Sequence, residues 1–337
     1  MNLFVLIRDK LGDTLIAFNV LRAFRELHPE SQITVMVHAH YLPLLEHEQG
    51  YRLVPYRSAL AAYAWAVGQR LLGRHFDAVV VLRGFGAKIA RLAKLLPTTR
   101  RIHAFGRFPA IFNCPVPNPR EDDLHPTPAL RALQVLDPSL CLPQTLHLPG
   151  LASLRANAEH VVICPVSDEP RRTMSTDDVA GILPALAQRH PGLPIHVLVR
   201  RAEEFTPPPG VTLVAFENIN MLLAKLASAA AYYGADTGLF HVAAAMGIPT
   251  TVFFGPSQPH KVILPQQNAV SVRLSKLGNR HCDEKRCISP ACIELAVSSW
   301  AGEASALRSH PPDSCPLHEG GITSDTEVTI SPQCGNA

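Results

Sequence analysis

No run of about 18 or more apolar residues occurs in the 337-residue chain, so the sequence offers no membrane-spanning helix. An excess of one charge is also missing. Lys and Arg number 31 against 28 Asp and Glu, a formal net charge of +3. That balance is too small to imply a nucleic-acid partner by itself. The opening stretch, MNLFVLIRDKLGD, has no basic segment before its apolar run, and the run is too short for a secretory signal. It reads as a first buried strand, and a cytoplasmic location is expected. A disulfide framework is absent as well: of eight cysteines, Cys114, Cys141 and Cys164 stand singly. No internal repeat of fixed period is visible. What remains is 47% hydrophobic and 18% charged, enough for a sizeable core and inconsistent with global disorder.

Apolar β-rich runs alternate with helical periodicity from the start. Strands are expected at 3–7, 33–37 and 78–82, with helices at 14–27, 59–73 and 88–96. In the first helix Ile16, Val20, Phe24 and Leu27 share a face, and Pro29 follows it. Residues 109–128 interrupt the rhythm with prolines and charges. A helix at 129–136 and a second loose stretch from Asp137 to Asn157 follow. Alternation then resumes, with strands at 161–164, 195–199, 211–216, 231–233 and 250–254 between helices at 177–189, 219–229 and 238–246. This order predicts an α/β fold of two doubly wound parallel-sheet halves facing a central cleft, with the linker near 145–157. The expected units are an N-terminal domain over 1–150, a C-terminal domain over 151–300 and a disordered tail over 301–337.

Two strand-to-helix junctions carry candidate chemistry. In RDKLGDT (8–14), Gly12 permits close backbone approach, and Asp13 lies where the helix begins. Asp13 is either the helix N-cap or a general base facing the cleft. In GADTGLFH (234–241), a strand runs into a helix whose N-terminus can bind phosphate. Asp236, Thr237, Gly238, Leu239 and His241 surround it, and the bare Gly238 leaves room for a diphosphate. The bland alternative is a capped helix with a buried histidine. Arg171 and Arg172 precede a helix in the second half; they meet a leaving diphosphate or are solvated surface. Lys88 and Arg91 share a helical face in a basic first half, which suggests an anionic acceptor or membrane surface there. Cys282, Cys287 and Cys292 lie close together in HCDEKRCISPACIE. They are a candidate structural metal site with a fourth ligand from His281, Cys315 or Cys334. A local disulfide or free thiols are the alternatives.

LIRDKLGDTLIAFNVLRAFRELHPESQITVMV resembles the N-terminus of family 9 glycosyltransferases, the ADP-heptose:lipopolysaccharide heptosyltransferases. GADTGLFHVAAAMGIPTTVFFGPSQP resembles their Asp-Ser/Thr-Gly-x-x-His block, and RRTMSTDDVAGIL less closely their Lys-Arg-Trp-Pro segment. CDEKRCISPACIEL is similar to their C-terminal cysteine segment. The resemblance implies a GT-B fold of two Rossmann-like domains, the acceptor on the N-terminal one and the donor on the C-terminal one. It implies inverting transfer of heptose from ADP-heptose to a lipopolysaccharide core, with no cofactor and no catalytic metal. Asp13 matches the base, the 236–241 residues match the diphosphate turn, and Arg171 or Arg172 replaces a phosphate-neutralising Lys. Lys10, Lys88 and Arg91 fall to the acceptor side. The implied partners are the nucleotide-diphosphate sugar and an anionic glycolipid, with peripheral contact at the cytoplasmic face of the inner membrane and no nucleic acid. Alternatives are another sugar or a protein acceptor, or a catalytically silent sugar-nucleotide-binding module. The chain departs from the family pattern with Arg for Lys, Met174 for Trp, CPVSDEP at 164–170 and LVRRAEE at 198–204.

Overall fold

The structure, a computed structural model, describes residues 1–255, 257–267 and 269–272, together with Ile293, Glu294, Ala296, Val297 and Trp300. Two parallel sheets form. The first joins β1 (Asn2–Ile7), β2 (Gln32–His38), β3 (Tyr51–Tyr56), β4 (Ala78–Arg83) and β5 (Arg101–His103) in the order β3-β2-β1-β4-β5. Helices α1 (Leu11–Leu27), α2 (Ala59–Leu71), α3 (Ala87–Leu95) and α4 (Thr127–Gln134) cover it. A single turn, α5 (Pro149–Ala152), leads across to the second half.

The second sheet is built from β6 (His160–Cys164), β7 (Ile195–Val199), β8 (Thr212–Ala215), β9 (Ala229–Ala235), β10 (Thr250–Phe253) and β11 (Ala269–Val272). Their order is β11-β10-β9-β6-β7-β8. Helices α6 (Thr176–Arg189), α7 (Ile219–Ala227), α8 (Gly238–Ala245) and the short α9 (Pro259–Val262) accompany it. Each sheet reverses its strand order once, between β1 and β4 and between β6 and β9. Ligands of open α/β sheets lie beyond the strand carboxyl ends at such points.

The central strands are buried on both faces, which is why they read as unbroken apolar runs such as AVVVL. β3 and β5 were not expected. β3 is an edge strand carrying Pro55, which a central position would not tolerate, and β5 has only 3 residues. β11 and α9 were also missed, lying past the Gly-Pro that closes the second half's last apolar run.

Among the described residues, three apolar clusters form the core. α2 and α3 cover the outer face of the first sheet, around Phe4, Leu6 and Val81. α6 covers the outer face of the second, joined by Ile293, Ala296 and Val297. Trp300 packs beside Tyr233 and Phe253, so ordered packing continues past Val297. The third cluster runs through both inner faces and joins α1 and α4 to α7 and α8. The crossing is pinned at both ends: Leu151 N–H donates to Glu48 Oε1 (3.2 Å), and Leu148 N–H donates to Ala245 O (3.2 Å). The 301–337 segment lies outside the described residues.

Candidate functional site

At the first switch point a loop of three residues, Arg8 to Lys10, leads from β1 into α1. The helix starts at Leu11, three residues earlier than its periodicity suggests, and Lys10 is its N-cap residue. Asp13 therefore lies inside the first turn, and the capping alternative is excluded. Its carboxylate is turned to other work. Oδ1 lies 3.1 Å from Arg83 Nη2 and 3.7 Å from His125 Nδ1.

Arg83 ends the otherwise apolar β4 and is buried. Its Nη2 also donates to the His125 carbonyl (2.7 Å), and Nη1 lies 3.8 Å from Asp9 Oδ2. The Phe105 ring lies 5.2 Å from the guanidinium. Two carboxylates thus share one cation. Burial, and then the Asp13 charge, hold Asp9 above the usual carboxylate range.

At the second switch point a 3₁₀ turn (Pro170–Arg172) follows β6. Arg172 Nη1 lies 3.1 Å from Asp236 Oδ2, and its Nε lies 2.9 Å from Glu169 Oε2. Arg171 Nε donates to the same Glu169 oxygen at 3.2 Å. Asp236 is buried, so the arginines are not merely solvated surface: one of them neutralises an interior carboxylate. Thr237 caps α8 by accepting from Leu239 N–H (3.1 Å).

The two switch points meet. A Cβ on Gly12 would lie 2.6 Å from His241 Cδ2. A Cβ on Gly238 would lie 3.0 Å from both Gly12 N and Leu11 Cβ. Both glycines are needed because the first turns of α1 and α8 touch. The space above Gly238 that the sequence reading gave to a diphosphate is occupied by Leu11 and Gly12 of the other half. The Cβ side of Gly238 is therefore closed to an anion. Two positive helix ends converge at this contact, which favours negative charge beside it.

His241 is buried against Gly12. Burial first, and then the His125 charge, lower its pKa to about 3, so it is neutral at pH 7. Its Nδ1 has no hydrogen-bond partner among the described residues.

His125 lies where the halves join. Its N–H donates to Lys261 O in α9 (2.8 Å), while its carbonyl accepts from Arg83 of β4. The imidazole keeps 44% of its surface exposed and feels Asp13 and Arg83 on one side and Asp236 and Arg172 on the other. Burial, reinforced by the two arginines, lowers its pKa against the pull of the two carboxylates.

Sequence reasoning missed Asp9, Arg83, His125 and Glu169 as parts of this cluster. A signal existed for Arg83, the charge that ends the apolar AVVVL strand before Gly-Phe-Gly. None existed for His125, which sits in a proline-rich stretch without periodicity. Lys10 is exposed beside the site, whereas Lys88 and Arg91 lie on the exposed side of α3. Met174, in the place of a Trp, is fully buried in the second half's outer cluster. Cys282, Cys287 and Cys292 lie outside the described residues. Among the described residues, no group of three or more His, Cys, Asp or Glu side chains is placed to hold a metal.

The model of glycosyltransferase family 9 (heptosyltransferase) matches residues 195–293. No curated protein matches the chain. Several solved structures share the fold. E. coli heptosyltransferase WaaC with ADP-2-deoxy-2-fluoro heptose superposes with a TM-score of 0.66 at 16% identity, covering 90% of this chain and 99% of that one. E. coli ADP-heptose lps heptosyltransferase II gives 0.64 at 19% identity, with 90% and 99% covered. A family 9 glycosyltransferase from Veillonella parvula gives 0.64 at 15% identity, with 90% and 96% covered.

Proposed function

We propose that this chain is an inverting heptosyltransferase, a reading supported by the family 9 match over residues 195–293 and by the two-sheet fold shared with solved heptosyltransferases. Its donor is ADP-heptose and its acceptor an anionic lipopolysaccharide core. The observation that carries this reading is the contact of the α1 first turn, which holds Asp13, with the first turn of α8, and the position of His125 between Asp13 on one side and Asp236 and Arg172 on the other. A base on one domain and an anion site on the other, in contact, is the arrangement that group transfer between two bound substrates requires.

In the proposed reaction Asp13 accepts the proton of an acceptor hydroxyl. The hydroxyl oxygen bonds to the anomeric carbon while the bond from that carbon to the diphosphate oxygen breaks on the opposite face. The leaving ADP takes the electron pair. Its charge is met by the α8 N-terminus at Thr237–Leu239 and by Arg171 and Arg172. Arg83 and His125 fix the Asp13 carboxylate. Asp236 holds Arg172 in place, and neutral His241 packs the α1–α8 joint. Lys10, Lys88 and Arg91 attract the anionic acceptor, at the cytoplasmic face of a membrane. No cofactor and no catalytic metal enter the scheme.

A thermal-shift panel over ADP-, UDP- and GDP-sugars tests the donor. A ligand held only by the folded state at 100 times its Kd stabilises by about 2.7 kcal/mol. ADP-heptose should raise the melting temperature most. A larger shift with a UDP- or GDP-sugar moves the chain to another donor. Binding without turnover would make it a sugar-nucleotide-binding module.

A further inference from the structure

α2 carries an outward face that water should not favour. Ala62 and Ala66 pack on the sheet, so the opposite line of the helix is its most exposed. That line is Leu60, Ala64, Val67 and Leu71, apolar throughout at i, i+4, i+7 and i+11 spacing. Leu60 is 79% exposed and Leu71 82%, and Leu72 at the helix end is 67% exposed. A surface helix ordinarily turns charge to solvent along this line. Here the row is about 16 Å long, at the usual rise per helical residue.

The neighbouring helix adds charge. α2 and α3 pack against each other over one face of the first sheet, so their outer sides look the same way. α3 buries Ile89, Ala90, Leu92 and Ala93 and leaves Arg91 and Lys94 on its outer side. Arg70 and Arg74 are exposed beside the apolar row. Acids are almost missing from this region: residues 51–119 hold eleven Lys and Arg and one acidic residue, Asp77. The chain as a whole is nearly balanced, so the cationic charge is concentrated here.

We propose that the outer face of α2 and α3 seats the protein on an anionic lipid surface, with Leu60, Val67, Leu71 and Leu72 entering the headgroup boundary and Arg70, Arg74, Arg91 and Lys94 meeting lipid phosphates. Apolar and cationic side chains on one exposed face are the signature of helices that lie in a membrane interface. A polyanion such as nucleic acid would use the cations but gains nothing from exposed leucines. The placement also suits a glycolipid acceptor. Lys88, in the first turn of α3, and Phe85, under Arg107 at 4.9 Å, belong to the chain segment that leads from Arg83 at the end of β4 into α3. The inference extends the glycolipid reading above, but lipid binding is measurable without any turnover.

The test is co-sedimentation of the full chain with phosphatidylcholine vesicles and with vesicles containing phosphatidylglycerol, at low and high salt. Binding is expected to the anionic vesicles only, weakened by salt. The double change Leu60→Ser, Leu71→Ser should lower the partition at least ~10-fold, and Arg70→Glu, Lys94→Glu by ~10-fold or more, because each basic residue near such a surface contributes about 1 kcal/mol. Calorimetric titration with ADP-heptose checks each variant: donor affinity kept while vesicle binding is lost locates the effect on this face. Equal binding to neutral and anionic vesicles, or full binding by both variants, overturns the proposal. So does a dimer in sedimentation velocity that the leucine changes dissociate, which would make a second copy the occupant. Failure of ADP-heptose to bind the parent would instead remove the donor assignment above and leave the lipid result standing.

Discussion

Arg83 Nη2 stands 3.1 Å from Asp13 Oδ1, joining the carboxyl end of β4 to the first turn of α1. The same guanidinium reaches the His125 carbonyl, so one buried side chain fixes the proposed base and the segment that crosses to the second half. Arg83→Gln should lower transfer and also destabilise the fold by about 1.5–3 kcal/mol, the range for hydrogen bonds to charged groups. Urea unfolding beside single-turnover kinetics measures both. A variant of parental stability and rate would show that the ion pair supports neither.

Gly12 and Gly238 let the halves touch. In Gly12→Ala the added methyl would sit 2.6 Å from His241 Cδ2, so the helices must separate or the imidazole must move. The expected cost is about 1–3 kcal/mol, as for other overpacked sites. Transfer should fall further than ADP affinity, because the side chains proposed to hold the diphosphate, Arg171, Arg172 and Thr237, are on the second half and the proposed base is on the first. Calorimetric titration together with turnover separates the two. An affinity loss equal to the rate loss would place the diphosphate at the α1–α8 contact itself.

The Arg171→Ala, Arg172→Ala variant should lower the single-turnover rate by at least ~10²-fold, comparable to removing an electrostatic donor from a preorganised site. Sequence alone treats these arginines as exposed and thermodynamically silent. The structure predicts a lower melting temperature as well, because buried Asp236 loses the cation at 3.1 Å. The double change Arg172→Ala, Asp236→Asn should recover stability without recovering rate. If the rate returns with stability, the arginines act only as structural partners.

Two buried histidines contribute to the acid limb of stability. His241 titrates at about 3 and His103 at about 4, both chiefly because burial disfavours the charged ring. An unfolded histidine titrates near about 6.5, so between these values the unfolded chain binds more protons. The stabilisation is complete above about pH 6.5 and declines as pH falls, by about 1.4 kcal/mol per pH unit for each ring. Urea midpoints at pH 7 and pH 5 should show this slope, and His241→Asn should reduce it. An unchanged slope in that variant means that His241 is not held neutral.

The alternation of apolar runs with helical periodicity made both sheets legible, because buried parallel strands leave a nearly pure hydrophobic signature. The edge strand β8 was legible, but β3 and β5 did not announce themselves: β3 carries Pro55 and arginine, and β5 is too short to form a pattern. Asp13, Thr237 and Arg172 could be named from the sequence because each follows a recognisable strand at a loop-to-helix junction. Arg83 and His125 could not be placed beside them. Their role depends on the switch-point geometry that brings β4 next to β1 and on a loop that crosses between the halves. The close packing at Gly238 was hidden for the same reason: its neighbour is Leu11, more than two hundred residues away in the chain.

The central claim is that Asp13 is the base for a sugar transfer whose donor is bound by the opposite half. The most direct measurement is the single-turnover rate of Asp13→Asn with ADP-heptose and lipopolysaccharide core, set beside its calorimetric affinity for ADP-heptose. Asparagine keeps the shape of the side chain and removes its ability to accept a proton. The account predicts a rate lower by about 10²–10⁴-fold, the usual range for a positioned acid–base group, with donor affinity within about twofold of the parent. A near-normal rate in a variant that binds donor normally would contradict it.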